Sequence, residues 1–338
     1  MALQATYLGF QLAHPFVPGA SPMARNLDTV RRLEDAGTPM IVLHSLFAEQ
    51  IMAHESGSVE AGGEALADSL IVAHRMRSDL GELSLNPDAY LEHIGKLRRC
   101  LDESTPVVAS LNVTRDEGWM PYVRLIDQAG ADALELNIYS LPSDPNHPSE
   151  QIERRILQIV RRVKQESSLP VAVKLLPFYT SLIHFARRLG EEGADGLILF
   201  NRLYQPDVNI TAQQEEPSLQ LSTSADLLVP LRWVGILSGR VKPDLVVTGG
   251  VQRAEDAVKA IMCGASIVQV VSLLLKRGPE FLSVLVENLR RWMDANGHSN
   301  LDDIRGSMSL RSFPSPESFE RGLYMHLLQT WTRPTGRL

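Results

Sequence analysis

The residues best suited to chemistry in this sequence are few and widely spaced. Lys174 sits inside Val-Ala-Val-Lys-Leu-Leu-Pro, an otherwise apolar run, where an ammonium without a partner costs several kcal/mol of desolvation. It therefore needs an anionic or electron-rich neighbour, either a ligand or a distant acid such as Glu135. Gly249-Gly250 follows the apolar run Leu245–Val247 and precedes a helix-period segment through Ala254, Ala257, Val258, Ile261 and Met262. With no Cβ in the way, backbone N–H groups there and the following helix N-terminus can point at one phosphate dianion. A helix packed tightly on a sheet makes the same demand for glycine. Asn112, Asn137 and Asn201 each close an apolar run, where an amide either caps a turn or faces a cavity. His44 reads as a capped core histidine, a ligand contact or a proton carrier.

Eight strand-like runs must position these residues: Phe16–Val17, Met40–Leu43, Val107–Leu111, Leu134–Ile138, Val171–Leu175, Leu197–Phe200, Leu245–Val247 and Ile267–Val271. Helical patterns alternate with them over Asp28–Ala36, Asp88–Leu101, Glu117–Ala129, Ser149–Lys164, Ser181–Glu192 and Ala225–Leu237. Alternation implies parallel strands, and eight units favour closure into a (β/α)8 TIM barrel over an open doubly wound sheet. The strand C-terminal ends then ring one cavity, with Ala20-Ser21, His44-Ser45, Asn112, Asn137, Lys174, Asn201, Gly249-Gly250 and Ser272 taken in strand order. A cation in that ring suits the N1/O2 edge of a flavin, which turns anionic on reduction. Two connections are too long for turns, Ser45–Pro87 and Asn201–Ala225, and are expected as lid insertions after strands two and six. After the eighth unit a helix spans Gly278–Asn296, with Phe281, Leu282, Leu285, Leu289 and Trp292 as its buried stripe. Residues 1–310 form the expected barrel domain, and 311–338 a tail with an amphipathic helix over Glu317–Trp331, for packing or a subunit contact.

Composition narrows the function classes. A hydrophobic content of 44%, a charged content of 22% and a mean hydropathy of -0.06 are those of a soluble globular chain. No apolar run reaches a membrane span and no export signal opens the chain, so a cytoplasmic protein is expected. A net charge of -7 with scattered basic residues argues against nucleic acid. Cys100 and Cys263 read as inert packing residues, and two cysteines hold no metal cluster. The sequence contains no G-x-G-x-x-G after a strand, no Walker A, no H-E-x-x-H and no G-x-S-x-G, which weakens nicotinamide-first, nucleotide-hydrolysing, zinc-peptidase and hydrolase readings.

From about Leu8 to Met308 the chain resembles the dihydroorotate dehydrogenase family of FMN barrels. Pro15–Ser21, Pro-Phe-Val-Pro-Gly-Ala-Ser, resembles the family's P-F-x-x-A-S-G. The segment around Lys174 resembles its V-K-L-P, and Val-Val-Thr-Gly-Gly-Val its G-T-G-G-I. The most specific match is Cys263–Pro279 to C-G-A-x-x-x-Q-x-G-T-A-x-x-x-x-G-P, and Ile304–Met308 resembles the C-terminal H-G-x-L. The resemblance implies FMN as cofactor. Gly249, Gly250 and the backbone of Val271 with Ser272 would hold its phosphate, and Lys174 the N1/O2 edge of its ring. Ala20 and Ser21 would meet the ring's other edge, with Ser45 also at the cofactor, and Asn112, Asn137 and Asn201 would contact flavin or substrate. Ser140 falls at the position of the family's catalytic base, and His44 where the family has a lysine near the substrate. The implied reaction belongs to pyrimidine biosynthesis: the base removes the C5 proton of dihydroorotate, or of a related cyclic substrate, while flavin N5 accepts hydride from C6. Val271 replaces the family's glycine, and the substrate-gripping N-S-M-G-L-P-N segment has no counterpart between His54 and Asn86.

Other readings share the same residues. A phosphate-binding barrel of non-redox chemistry, an isomerase or aldolase, uses the same glycine loop without flavin. A flavin barrel acting on RNA, as in the dihydrouridine synthases, fits the acidic balance poorly. A non-catalytic flavin-binding subunit of a redox complex would dock through the C-terminal helix. The expected partners are a small-molecule substrate, with neither nucleic acid nor membrane, a second copy in a homodimer, and an electron-transfer protein carrying the redox centres that this chain lacks the cysteines to bind.

Overall fold

In the computed structural model the residues described are 2–55, 86–113, 118–139, 141–203, 207–216, 219–312 and 323–330. Twelve strands occur among them: β1 (Ala5–Tyr7), β2 (Phe10–Leu12), β3 (Phe16–Pro18), β4 (Ile41–Phe47), β5 (Val107–Val113), β6 (Ala133–Ile138), β7 (Val171–Leu175), β8 (Gly196–Leu199), β9 (Asp207–Asn209), β10 (Gln214–Glu216), β11 (Asp244–Thr248) and β12 (Ile267–Val270). Eight form one parallel sheet in the order β3-β12-β11-β8-β7-β6-β5-β4. The first of these in the chain pairs with the last, Val268 opposite Phe16, and the two end strands β3 and β4 lie against each other. The sheet thus curls into a nearly closed TIM-like barrel, and each expected strand is one of its staves.

Helices lie outside the barrel, most of them packed on it through an apolar stripe at helical spacing. They are α1 (Leu27–Asp35), α2 (Ala48–Glu55), α3 (Pro87–Cys100), α4 (Pro121–Gln128), α5 (Ser149–Glu166), α6 (Leu182–Glu191), α7 (Leu228–Leu237), α8 (Ala254–Cys263), α9 (Ser272–Arg277), α10 (Phe281–Ala295) and α11 (Leu323–Gln329). Local chemistry sets their ends. Asn26 caps α1 by accepting from Asp28 N and Thr29 N, and Asn86 caps α3 ahead of Pro87. Gly264 closes α8 at φ +113, where a Cβ would clash with Ser238 Oγ. On α10 the buried stripe is Leu282, Leu285, Leu289 and Met293; Phe281 and Trp292, expected in it, are half-buried at its edges.

The barrel interior is layered. Val17, Met40, Val42, Val108, Ala133, Ala172, Ile198, Val246 and Ile267 point inward and pack on Tyr7, Leu8 and Leu12 of the β1–β2 hairpin, which plugs the base. Side chains two residues further along a strand share its face. Two residues past Ala133, Ala172 and Ile267 stand Glu135, Lys174 and Gln269, so a polar layer sits directly on the apolar one.

The expected lid insertions hold structure of their own. The first opens with α2, although its residues 56–85 lie outside the described set. The second contains the β9–β10 hairpin, and its end, a 3₁₀ turn over Ser224–Leu227, leads into α7. In the tail, 313–322 and 331–338 lie outside the described residues, and α11 falls within the expected helix. No helix among the described residues is long and apolar enough to cross a membrane.

Candidate active site

Lys174 is 7% exposed and Glu135 1%. The lysine Nζ lies 3.3 Å from Glu135 Oε1, and Gln269 Nε2 donates to Glu135 Oε2 at 2.8 Å. The distant acid weighed from the sequence is therefore present, and it engages one of three ammonium donors. Gln269 Oε1 is buried with no hydrogen-bond partner. Gly19, at the end of β3, crosses close above: a Cβ there would meet Val271 Cγ2 at 2.9 Å and Gln269 Oε1 at 3.2 Å. Burial first, then the charge of Glu135 beside it, pushes the Tyr7 phenol pKa well up.

Above this layer runs a chain of hydrogen bonds. Ser45 Oγ lies 2.8 Å from Ser110 Oγ, Asn137 Nδ2 donates to Ser45 Oγ at 3.1 Å, and Asn201 Nδ2 donates to Asn137 Oδ1 at 3.0 Å. The structure thus brings Ser45, Asn137 and Asn201 together, residues 92 and 64 positions apart along the chain. Asn112 is half-buried on β5, and its side chain makes no hydrogen bond among the described residues.

Ser45 joins this row because β4 is irregular. Its register against β5 shifts between Val42 and Ser45, inserting an extra residue as a bulge does. At the break the Tyr90 hydroxyl of α3 takes both backbone groups of Ser110, accepting from N–H at 2.9 Å and donating to C=O at 3.2 Å. His44 stands apart from the amide chain. Its ring lies edge-on to Tyr90 at 5.2 Å and beside His93 at 6.3 Å. Burial, then Arg25 and His93, lower its pKa to about 3, so the imidazole is neutral, and its Nδ1 is buried with no partner. Ala20 is half-buried and Ser21 buried at the end of β3, ahead of a 3₁₀ turn over Pro22–Arg25.

The glycine loop after β11 divides its labour. Gly249, at φ +81, has nothing within 4 Å of where a Cβ would be, so its backbone is open to a ligand. Gly250, at φ +83, is a packing glycine: a Cβ would strike Leu227 N at 2.5 Å. Of the two functions weighed for the pair, packing is seen at Gly250, while Gly249 is left open. Val271 precedes the short helix α9, which begins at Ser272. Ser222, which sequence reading missed, links the two sides. Its Oγ accepts from Gly250 N–H at 3.1 Å and lies 2.8 Å from Ser272 Oγ, and its N–H donates to Ser272 Oγ at 3.0 Å. The segment is clasped by Asp256, fully buried, whose Oδ2 accepts from Ser224 Oγ at 2.9 Å and Gln252 N–H at 3.0 Å, while Gln252 Nε2 donates to Ser222 C=O at 3.0 Å. Ser140 lies outside the described residues.

An open glycine backbone beside a short helix N-terminus suits a phosphate, and a buried ammonium with free donors beneath an amide chain suits a flat ring bearing several carbonyl and N–H groups. Comparison with known proteins agrees. The sequence model of the family described as dihydroorotate dehydrogenase matches residues 79–293. A putative dihydroorotate dehydrogenase A (fumarate) of Aeropyrum pernix is 30% identical over 61% of this chain and 68% of its own. The dihydroorotate dehydrogenase B (NAD(+)) catalytic subunit of Thermoplasma acidophilum is 24% identical over 90% of this chain and 98% of its own. The NAD-dependent dihydropyrimidine dehydrogenase subunit PreA of Escherichia coli is 22% identical over 93% of this chain and 79% of its own. With more than half of its length matched by that family's model, on a barrel whose strand ends gather the residues described above, the chain belongs to the dihydroorotate dehydrogenase family.

Proposed function

We propose that this protein is an FMN-dependent oxidoreductase that dehydrogenates a small cyclic substrate, dihydroorotate or a related dihydropyrimidine. The observation that carries the proposal is that the buried Lys174–Glu135–Gln269 cluster and the Ser45–Asn137–Asn201 chain meet on β6, where Asn137 stands two residues past Glu135. When bound, FMN supplies a two-electron acceptor for hydride. The chain's own residues supply the rest. Gly249, Gly250 and the backbone of Val271 with Ser272 hold the phosphate, with Ser222 completing the cradle. Lys174, fixed by Glu135, presents its remaining donors to the N1/O2 edge, and Ala20 and Ser21 border the ring. Asn112, Asn137 and Asn201 orient the substrate through its amide edges, and Ser140 takes the proton from carbon. Electrons leave through a partner protein, in keeping with relatives that are named as subunits.

The test is spectroscopic. The purified protein is expected to be yellow, and under anaerobic conditions dihydroorotate or dihydrouracil should bleach the flavin absorption. A colourless protein that takes up no FMN would overturn the redox reading. Ser140→Ala should retain flavin and slow bleaching by about 10²–10⁴-fold; an unchanged rate would remove Ser140 from the base role.

A further inference from the structure

Gln269 keeps a buried acceptor that nothing satisfies, and the reason lies at its other end. Its Nε2 donates to Glu135 Oε2 at 2.8 Å, reaching from β12 to β6 with β11, β8 and β7 between them in the sheet. The reversed amide would set an oxygen against the carboxylate, so this bond fixes which way the side chain faces. Oε1 is thereby left against Gly19, buried with no hydrogen-bond partner. A leucine would fill the position without the cost of an unmet acceptor. The cost is explained if the amide is retained for its donor, which holds Glu135 in place. Glu135, 1% exposed, spends its other oxygen on Lys174 Nζ at 3.3 Å. Among the described residues no other charged side chain pairs with either, so the cluster is an ion pair with no net charge. Lys174 is also the register partner of Asn137, the middle of the amide chain, which puts the ion pair at the floor of the candidate site.

We propose that Glu135, held by Gln269, is a positioning residue that sets the charge Lys174 presents to a bound flavin. The pair offers a neutral dipole in place of a full positive charge, and so keeps the reduction potential below the value the lysine alone would give. This rests on the flavin reading proposed above. Hydride uptake, one proton with two electrons, leaves one negative charge at the N1/O2 edge of the ring. An unopposed ammonium beside that edge favours the reduced form strongly where water is excluded, and the carboxylate bound to Nζ takes part of that preference away.

The test is the midpoint potential of the bound flavin in the full-length protein, measured by anaerobic reductive titration against a reference dye. The potential reads the ratio of the affinities for reduced and oxidised flavin, so a pocket that is merely loosened loses both and leaves it unmoved. Glu135→Gln, which keeps the shape and removes the charge, should favour the reduced form at least about tenfold over the parent, a rise of about 30 mV for a two-electron couple. Glu135→Asp keeps the carboxylate but draws it back by one methylene. It should move the ratio in the same direction by about threefold, and it covers the case in which Glu135→Gln fails to fold. A potential unchanged or lowered in either variant would overturn the inference. So would loss of flavin from both, which would make Glu135 part of the pocket's frame and not of its charge. A parent that takes up no FMN fails the redox reading itself, whereas a flavin-bound parent whose variants keep its potential fails this inference alone.

Discussion

Lys174 and Glu135 hold each other in a layer from which water is largely excluded, and Gln269 fixes the second carboxylate oxygen. Removing one member of such a pair leaves the other buried and uncompensated, which costs more than losing both. Glu135→Gln should lower the free energy of unfolding by about 3–5 kcal/mol in urea titrations, and the double change Glu135→Leu with Lys174→Met should recover part of it. A loss no larger than that of a surface ion pair would show that Lys174 reaches solvent. The glycine pair supplies a second test at this scale. Gly250→Ala meets both a left-handed backbone and Leu227 N at 2.5 Å, whereas Gly249→Ala meets only the backbone strain, about 1–2 kcal/mol. Thermal unfolding should therefore fall further for Gly250→Ala. Gly249→Ala, with its methyl in the open space, should instead weaken FMN more than it weakens riboflavin, which lacks the phosphate.

Between elements, the joints are made by polar side chains whose protonation matters. His14, just before β3, uses both ring nitrogens: Nε2 donates to Gly37 C=O at 2.8 Å, beyond the end of α1, and Nδ1 accepts from Phe16 N–H at 3.3 Å. A proton on Nδ1 would set two donors against each other, and burial holds the pKa down at about 4. The folded value lies below the unfolded one of about 6.5, so below that pH the unfolded chain binds the extra proton. The contribution is complete above about pH 6.5 and is lost as pH falls towards 4. At pH 5 the loss amounts to about 2 kcal/mol, from a separation of 1.5 pH units at 1.36 kcal/mol each. His14→Gln should flatten the fall in unfolding free energy from urea titration between pH 7 and 5 by that amount, with His44 common to both proteins. These joints also mark the limit of what sequence shows. The strands were legible because each is a Val/Ile/Leu run buried on both faces, and Glu135 and Gln269 stand out as lone polar residues inside such runs. The bulge that aligns Ser45 with Ser110 leaves no local signal, since Leu43-His44-Ser45 reads as regular strand. Ser222 and Asp256 meet across 50 and 32 positions of chain with Ser272 and Ser224, a pairing that only the folded loop creates.

At the scale of the whole molecule, the site depends on a floor built from the other end of the chain. The inward apolar layer below Glu135, Lys174 and Gln269 comes from one residue on each of the eight strands together with Met40 just before β4, and it is closed from beneath by Tyr7, Leu8 and Leu12. Leu8 N–H also donates to Asp244 Oδ2 at 2.9 Å, tying the hairpin to the start of β11. The barrel staves were evident in the sequence, but the plug was not, because its three-residue strands alternate buried and exposed positions too briefly to register. If the hairpin is part of the barrel's core rather than an appendage, a cavity beneath the layer must weaken the entire barrel, including the outer face. Trp119 reports on that face, being fully buried among the helices and outward-facing strand residues. Tyr7→Ala should lower stability by about 3–5 kcal/mol, the cost of deleting a large buried aromatic. With Trp233, Trp292 and Trp331 replaced by Phe in both proteins, Trp119 fluorescence and far-ultraviolet circular dichroism should shift together in a single transition. A variant in which Trp119 unfolds at the parent midpoint while the hairpin alone is lost would separate the plug from the barrel, and with it the floor on which Lys174 and Glu135 are held.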